Sequence, residues 1–518
     1  MKKITKLLSI VMALMFVMAA FAGCGSKDAN KTGGNDNQQG TPTATDRDDV
    51  IIATANEPPT MHPYDHNAVA ANYMNALTFA TLFRTNVETL EPEPMLATGY
   101  EILSDTQWKI TLRKDVKFHN GETMTADDVK ASMEWAKNDY SSLTNIYTSW
   151  WKDIQVVDPT TIIITTNDVY AKTLIDLTRM KIVPKSLIDS GNDFNANPVG
   201  AGPYKFVKWT LGDSIEFEAF EDYFDGAPAI KHMTWRIIPE GSSRTIALEA
   251  GEVDFVVEVE TNDLTRLKAD TDIAVLDQAG TSFNYMMVNN EKAPFNNEKF
   301  RKALNCAIDK DAVVQVALNG AGTGVSAQVP NVLSGYSDKN AEKFDLELAK
   351  KYIQESGIDP KTVTFSCICS DDTKRRAGEV IQANLAELGI TMNLESMDLA
   401  TYLSATAEGN YEAAIGGYTS SDMMSFIEGV YHSKSINGSN KTRLNDAEVD
   451  KLYNLATTQL DSTERNKTLE ECSARVNSLC PQATLYQVNV VRAYNNALQG
   501  VAVSASGTMY WEYVSWAK

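Results

Sequence analysis

The histidines and the glycine-rich stretch are the residues whose types could form a catalytic or metal site. Their spacing argues against both kinds of site. His62 and His66 are the closest pair of histidines, but Pro63 lies between them, so we do not expect a helix that turns both rings to one face. The glycine-rich stretch 319–325 lacks the lysine and Ser/Thr of a phosphate loop, and no GxSxG nucleophile elbow occurs. The sequence therefore predicts no enzymatic activity, no resident metal and no cofactor.

Cys24 is the residue for which the sequence predicts a modification. Lysines at the start of the chain precede an apolar stretch, residues 7–22, which as a helix would cover only ~24 Å, less than a ~30 Å hydrocarbon core. This pattern is typical of a signal peptide. The following FAGC motif, residues 21–24, resembles the bacterial lipobox, whose cysteine is acylated, for example with palmitate, and becomes the new N-terminus. The alternative is an ordinary signal peptide with an incidental cysteine.

A polar segment follows Cys24 and is expected to act as a tether. Residues 25–47 are almost entirely Gly, Asn, Gln, Asp, Thr and Lys, a composition that cannot bury enough apolar surface to offset the entropy of ordering. We assign residues 1–23 to a lipoprotein signal peptide and residues 24–47 to a flexible tether with a span of roughly 25 to 30 Å. The expected location is the extracytoplasmic face of the cell membrane, where the lipid holds the chain.

The charge of the chain excludes one class of partner. Its 47 Lys and Arg stand against 68 Asp and Glu, a net charge of −21, which becomes −24 when residues 1–23 leave with three lysines. Such a surface repels nucleic acid and anionic lipid. The remainder contains no second long apolar run and is long enough for two or three lobes with their own cores. We expect a soluble exported body and no nucleic-acid partner.

The five remaining cysteines are expected to be small core residues. Cys472 and Cys480 lie in a helical pattern that separates them by ~12 Å, too far for a disulfide. Cys367 and Cys369 alternate along a strand pattern, and neither they nor Cys306 have a matching cysteine or histidine pair to complete a metal site. A metal or redox pair is the alternative.

Strand and helix patterns alternate along the body of the chain. Residues 108–118 and 214–220 alternate apolar and polar side chains, which predicts half-buried strands. Thr125, with Asp128 three residues later, predicts a capped helix start. In the second half, strand patterns lie between helix patterns, which predicts an α/β fold with a largely parallel sheet. The helices there are expected at 297–320, 345–357 and 373–389, each ending at a glycine.

Three ordered segments resemble one protein family, the extracellular solute-binding proteins of the peptide and nickel ABC importers (family 5). Residues 92–135 resemble the family signature, in which Lys114 to Val116, Phe118, Gly121 and Ala126 to Val129 fall at the expected places. Residues 199–230 with 244–255, and residues 287–314, agree in the same order. The resemblance covers residues 50 to 518.

This resemblance implies a two-lobed periplasmic-binding-protein-like clamshell of class II type. Lobe I would comprise residues 48–278 and a C-terminal return at 488–518, with an extra subdomain at about 85–190, and lobe II would comprise residues 279–487. A solute that bridges the lobes would favour the closed form, which a permease recognises. The implied partners are ABC permease subunits with cytoplasmic ATPases and a peptide or other small solute, and the implied receptor is a monomer.

The resemblance also places candidate ligand-binding residues. In peptide-binding relatives an aspartate after a lobe II strand pairs with the amino group of the peptide, and Thr419 stands at its place here. A neutral hydroxyl cannot replace that charge, so Asp422 is the expected substitute. Backbone groups nearby could bind an extended ligand as an added strand. The full set is Asn67, Ala68, Val69, Tyr285, Gly416, Gly417, Tyr418, Thr419, Asp422 and Tyr486.

Alternatives to peptide import stay open at this point. The departure at Thr419 also suits an oligosaccharide, a nickel chelate or another small solute. A surface signalling receptor, which reads its ligand rather than importing it, is compatible with the same sequence. For Tyr285 and Tyr486 the alternative role is packing in the core.

Overall fold

The computed structural model of the chain describes residues 47–66 and 68–517. The predictions for the signal peptide, for Cys24 and for residues 24–46 of the tether fall outside the described residues, and so does Asn67. Within these two ranges, no helix combines the length and apolar character needed to cross a membrane. The name lobe I denotes the described residues up to 278 and from 488 onward, and lobe II denotes residues 279–487, a division that remains a prediction.

Lobe I begins with strands and short helices. Its strands before the first crossing are β1 Asp49–Thr54, β2 Ala80–Thr81, β3 Phe83–Thr85, β4 Pro92–Pro94, β5 Ala97–Ser104, β6 Gln107–Leu112, β7 Trp151–Asp158, β8 Thr161–Thr166, β9 Lys181–Ile182, β10 Tyr204–Thr210, β11 Ser214–Ala219, β12 His232–Ile237 and β13 Phe255–Val256. Its helices are α1 Val69–Thr78, α2 Ala126–Asp139, α3 Ser141–Thr148, α4 Thr173–Leu177, α5 Lys185–Asp189, α6 Gly241–Glu249 and α7 Leu264–Ala269.

The second half is richer in helices. Its strands are β14 Ile273–Val288, β15 Gly322–Gly324, β16 Thr364–Cys369, β17 Thr391–Ser396, β18 Ala413–Thr419, β19 Gln482–Asn495, β20 Leu498–Gln499 and β21 Ser515–Trp516. Its helices are α8 Glu298–Ala307, α9 Lys310–Leu318, α10 Leu346–Ser356, α11 Asp372–Ala386, α12 Leu399–Glu408, α13 Met423–Val430, α14 Ala447–Ala456 and α15 Ser462–Leu479.

One mixed sheet runs through both lobes. Its strand order is β10-β11-β12-β1-β13-β19-β14-β18-β16-β17, and β15 pairs with β19. β1 is parallel to β12 and β13, and β16 is parallel to β17 and β18, whereas β14 and β19 are antiparallel to their neighbours. The expectation of a largely parallel sheet is therefore wrong for the centre of this sheet, because the two long strands that link the lobes run in opposite directions.

A second sheet with its own core lies between residues 97 and 166. Its four antiparallel strands have the order β5-β6-β8-β7. Helix α2 packs near this sheet and begins as expected, since the backbone N–H of Thr125 donates to the Asp128 carboxylate at 2.8 Å. The buried cluster includes Trp108, Ile110 and Ile164. This sheet falls inside the predicted subdomain, whose bounds remain a prediction.

The helices of lobe II differ from expectation at one point. The sequence predicts a single helix over residues 297–320, but the structure has two, α8 and α9. Ile308 adopts an extended backbone between them, and the Asp309 side chain accepts from the Ala312 N–H at 3.0 Å as the cap of α9. A local cap thus starts a new helix inside an uninterrupted apolar pattern.

The five cysteines outside the N-terminal region are all buried free thiols. Burial raises the pKa of Cys306 and Cys472 to about 12. These thiols therefore stay protonated and pack as small apolar side chains, as expected.

In the part of the chain that the structure describes, two strands, β14 and β19, pass from one predicted lobe to the other. Residues 273–279 of β14 pair with 489–495 of β19, and residues 283–287 pair with 482–487. The register breaks between Ala279 and Phe283. This break lies at the predicted lobe bounds, residues 278/279 and 487/488.

Candidate functional site

A cavity of about 360 Å³ opens on lobe I and reaches lobe II at Ser421. Helix α1 contributes one wall, and the segment after β19 contributes another. Residues 178–181, next to the short strand β9, form the third side. The lining residues are Val69, Asn72, Tyr73, Asn75, Ala76, Phe79, Thr81, Arg84, Thr85, Met95, Thr178, Arg179, Lys181, Ser421 and Ser506 to Glu512.

Arg84 is held in the cavity wall by several partners. Its guanidinium donates to the Glu93 carboxylate at 2.6 Å and to the Tyr513 hydroxyl at 2.6 Å, and its Nη1 lies 3.7 Å from Oε1 of Glu512. Burial raises the pKa of Glu512 to about 7, although Arg84 opposes that shift. The charge of Arg84 is therefore already matched by the Glu93 carboxylate.

Arg179 and Lys181 differ from Arg84, because neither has a carboxylate of the described residues within ion-pair distance, although Arg179 lies near enough to the buried Asp176 to oppose the rise in the pKa of that carboxyl. Among the described residues, neither side chain forms an ion pair, and neither donates a side-chain hydrogen bond to a protein acceptor. The Arg179 guanidinium lies 5.8 Å from the ring centroid of Tyr147. Burial, together with the nearby charge of Arg179, lowers the pKa of Lys181 to about 8. This part of the wall therefore holds two cations without an ion pair, in a cavity that Glu512 also lines.

Other polar atoms in the wall also lack partners. Asn75 is 1% exposed, and its amide nitrogen contacts His66 Nε2 at 2.7 Å while its carbonyl oxygen has no partner. The indole N–H of Trp511 and Oε1 of Glu512 have no hydrogen-bond partner either.

The predicted lobe I residues lie at the start of α1. Ala68 precedes the helix in extended conformation and is half-buried. Val69 is 63% exposed and lines the cavity. Asn67, the first of the three, lies outside the described residues.

The two predicted tyrosines lie in the lobe II core. Tyr285 is 2% exposed, and its ring centroid lies 5.8 Å from that of Phe283. Tyr486 is 1% exposed and belongs to the cluster that packs α8 and α9 against the sheet. Neither lines the cavity. Their place in the structure is that of packing residues, and a ligand contact remains a prediction.

Four of the predicted residues, Gly416 to Thr419, lie at the C-terminal end of β18, the strand that pairs with β14. Gly416 is buried, and a Cβ there would collide with the hydroxyl of Tyr402. Gly417 and Thr419 are exposed, whereas Tyr418 is half-buried. Near the start of β18, its backbone already pairs on one side with β14 and on the other side with β16.

Asp422 lies in a different crevice from the large cavity. Its Oδ1 accepts from the Ser425 N–H at 2.7 Å as the cap of α13, and its Oδ2 is buried without a partner. The crevice has a volume of about 30 Å³ and also contains Arg465 and Glu91. Ser421, the preceding residue, borders both spaces.

Lobe II contacts the first part of lobe I beside this crevice. Lys172 Nζ donates to Ser425 Oγ at 2.7 Å, and the Ala171 N–H donates to the Thr457 carbonyl at 3.3 Å. These bonds join residues more than 250 positions apart and close one side of the space between the lobes.

Arg179, Lys181, Tyr510 and Glu512 were not predicted as site residues. Sequence reasoning assigns the aromatic run around Tyr510 to the lobe I core, which holds for Trp511 and Trp516, at 3% and 7% exposed. One signal in the sequence could have indicated a site there, namely the charged residue Glu512 within that aromatic run. A second signal was the alternation in residues 179–182, where two cations alternate with two apolar residues.

Comparisons with known proteins place this chain in one sequence family. Residues 91–438 match the sequence family described as bacterial extracellular solute-binding proteins, family 5 Middle. Heme-binding protein A of Haemophilus influenzae is 30% identical over 424 residues, which cover 75% of this chain and 78% of that protein. Glutathione-binding protein GsiB of Salmonella choleraesuis is 28% identical over 376 residues, covering 71% and 73%.

The fold agrees with a solved structure. HbpA2 from Haemophilus parasuis matches with a TM-score of 0.84 at 25% identity, over 91% of this chain and 100% of that chain. The comparisons confirm the predicted two-lobed α/β fold and the predicted family.

Proposed function

This chain belongs to family 5 of the bacterial extracellular solute-binding proteins, the solute-capturing components of ABC importers, and we propose that it captures a peptide-sized solute between its lobes. The observation that carries the proposal is the cavity of about 360 Å³, which lies between helix α1, the C-terminal segment 506–512 and Ser421 of lobe II. Volumes of 300 to 1,000 Å³ are usual for small-molecule sites. The similarity to a glutathione-binding protein, whose named ligand is a tripeptide, supports a short peptide.

The proposed mechanism is closure of the lobes and needs no covalent step. A solute that contacts lobe I through the cavity and lobe II through Ser421 and its neighbours stabilises the closed form by its differential affinity. The chain acts as a monomer and delivers the solute to the permease, while separate cytoplasmic ATPases supply the energy. We assign no enzymatic activity to it.

The ligand contacts outside the cavity remain part of this proposal. Lobe I would contribute Asn67, Ala68 and Val69, of which Val69 borders the cavity. Lobe II would contribute the exposed edge at Gly417 to Thr419, and Asp422 would hold the amino group. Gly416, Tyr285 and Tyr486 would support that edge from within the core, since each is buried.

Membrane attachment is proposed from the sequence alone. Acylation of Cys24, followed by the polar tether, would hold the receptor on the extracytoplasmic face of the cell membrane within reach of its permease. The lipid would be the membrane contact, since no helix described in 47–66 or 68–517 can span a bilayer.

Thermal unfolding with solute pools tests the proposed function. A solute present at about 100 times its Kd raises the free energy of unfolding by about 2.7 kcal/mol. We expect tripeptide pools to raise the Tm, and cells that lack this protein to lose uptake of labelled tripeptides. A rise in Tm with oligosaccharides but not with peptides would contradict the peptide assignment.

A further inference from the structure

We infer that apolar side chains exchanged between the predicted subdomain and lobe II form a latch that draws the lobes together without help from a solute. The latch comprises Leu90, Ala171 and Ile175 from lobe I and Leu460 from lobe II. The inference rests on the proposed lobe closure and adds to it a contribution from contacts outside the cavity. None of the four residues lines the cavity.

Each lobe inserts apolar groups into the core cluster of the other. Ala171 is 5% exposed and belongs to the buried cluster of lobe II that contains Phe426. Leu90 and Ile175 pack against the same cluster. In return, Leu460 packs against the cluster of the subdomain. The remaining members of each cluster come from one lobe, so both cores stay filled when the lobes separate.

The contact between the two sides is apolar and closely packed. Among the described residues, no ion pair joins residues 85–190 to lobe II. Ser334 donates to the Thr89 carbonyl at 3.5 Å and Asn466 to the Glu91 carboxylate at 3.4 Å, both at the long limit of a hydrogen bond. The crevice beside them, about 30 Å³, has room for only a few water molecules. Expulsion of water from this apolar surface therefore favours the closed form with or without a solute.

The backbone of Leu90 gives an independent indication. Its φ is 59°, in the left-handed region, which a leucine rarely adopts because its Cβ approaches the following carbonyl. Such strain persists where the surrounding structure compensates it, and strained residues concentrate in switch regions. At Leu90 the side chain packs against the cluster of lobe II, so the compensating contact comes from the other lobe. An asparagine would suit this backbone better and would lose the contact.

Spin-label distances in the solute-free full chain test the latch. Labels on Ile146→Cys of the subdomain and Glu387→Cys of lobe II, both at exposed positions, distinguish closed from open protein by double electron–electron resonance. We expect a closed population without solute, which a tripeptide pool enlarges. A solute-free protein that is entirely open, yet closes with tripeptides, would overturn the latch and leave the receptor function standing. A closed population that tripeptides do not enlarge would support the latch and count against peptide capture.

Variants locate the effect. Leu460→Ser and Leu90→Asn should each lower the closed-to-open ratio of the solute-free protein roughly threefold to tenfold, because each removes a partly buried leucine from the contact. Solute affinity should fall by up to the same factor, since it scales with the fraction of competent protein. Leu90→Asn suits its own turn, so it should fold like wild type by circular dichroism. Leu399→Ser, at a leucine 58% exposed on lobe II, is the matched control and should leave the ratio unchanged. Unchanged ratios in Leu460→Ser and Leu90→Asn, or an equal change in the control, would overturn the latch.

Discussion

Gln487 donates from its side-chain amide to the carbonyl oxygen of Gly280 at 2.6 Å, at the point where the two long strands of the molecule lose their pairing. The N–H of Thr281 turns away to the carbonyl of Ala505 at 3.0 Å. This side-chain hydrogen bond takes the place of a backbone hydrogen bond between β14 and β19. It joins the two strands without fixing which of their residues pair. We place the hinge of lobe closure here.

Gly280→Ala tests the hinge. A Cβ at residue 280 would lie 2.5 Å from the carbonyl oxygen of Val488, a backbone atom that cannot move alone. We expect a loss of roughly 1 to 3 kcal/mol in the free energy of unfolding and a changed radius of gyration in small-angle scattering. Gly99→Ala is the control, because nothing lies within 4 Å of its added Cβ. Identical behaviour of the two variants would argue against a hinge at Gly280.

The contact between Lys172 and Ser425 is expected to stabilise the closed arrangement. We predict that Lys172→Ala and Ser425→Ala each raise the Kd of the captured solute severalfold, since one hydrogen bond contributes about 0.5 to 1.5 kcal/mol. The double variant should be no weaker than the worse single variant, because the bond can be lost only once. Additive losses would show that the two residues act separately.

Glu512 should make stability depend on pH. Its side chain is 5% exposed, and its pKa rises from the usual 4.5 to about 7. A raised carboxyl pKa means that the folded state binds the proton more tightly, so its contribution to stability falls as pH rises from about 4.5 to about 7. Glu512→Gln removes this dependence. The difference between wild type and variant in the free energy of unfolding should change by roughly 2 to 3 kcal/mol between pH 4 and pH 8.

Denaturant titrations at both pH values measure this difference. Glu387→Gln, at an exposed helix end, serves as the control and should follow wild type. A pH profile of Glu512→Gln parallel to wild type would show that Glu512 stays ionised in the folded protein.

The proposed lipid attachment would depend on the sulfur of Cys24. We expect Cys24→Ala to release the protein from the membrane fraction and to lower its mass by the acyl chains, while solute binding persists. Ser26→Ala, two residues into the polar segment, should remain attached. Membrane retention of the Cys24→Ala protein would show that the lipobox resemblance is misleading.

Local signals were sufficient for many elements of the fold. The capping pair Thr125 and Asp128 predicts the start of α2, and Gly357 ends α10 in a left-handed conformation as expected. The predicted helix over 297–320 was wrong because the apolar pattern continues across Asp309, whereas the backbone turns there. A hydrophobic pattern reports which face is buried but does not report a break between two helices that share that face.

The candidate site was harder to predict, because it is assembled by contacts distant in sequence. Lys181 reaches the cavity through pairing of β9 with β2, a hundred residues earlier, and Glu512 arrives from the C-terminal end. The family resemblance directs attention to Thr419 and Asp422 in lobe II, where Ser421 between them is the residue that borders the cavity. Missing charge partners become visible only when neighbours are known.

Native mass spectrometry of the full chain in detergent micelles tests most directly whether this protein captures a peptide-sized solute. After exposure to the tripeptide pool, we predict a 1:1 noncovalent complex. A spectrum that shows only the unliganded protein with every peptide pool would contradict peptide capture.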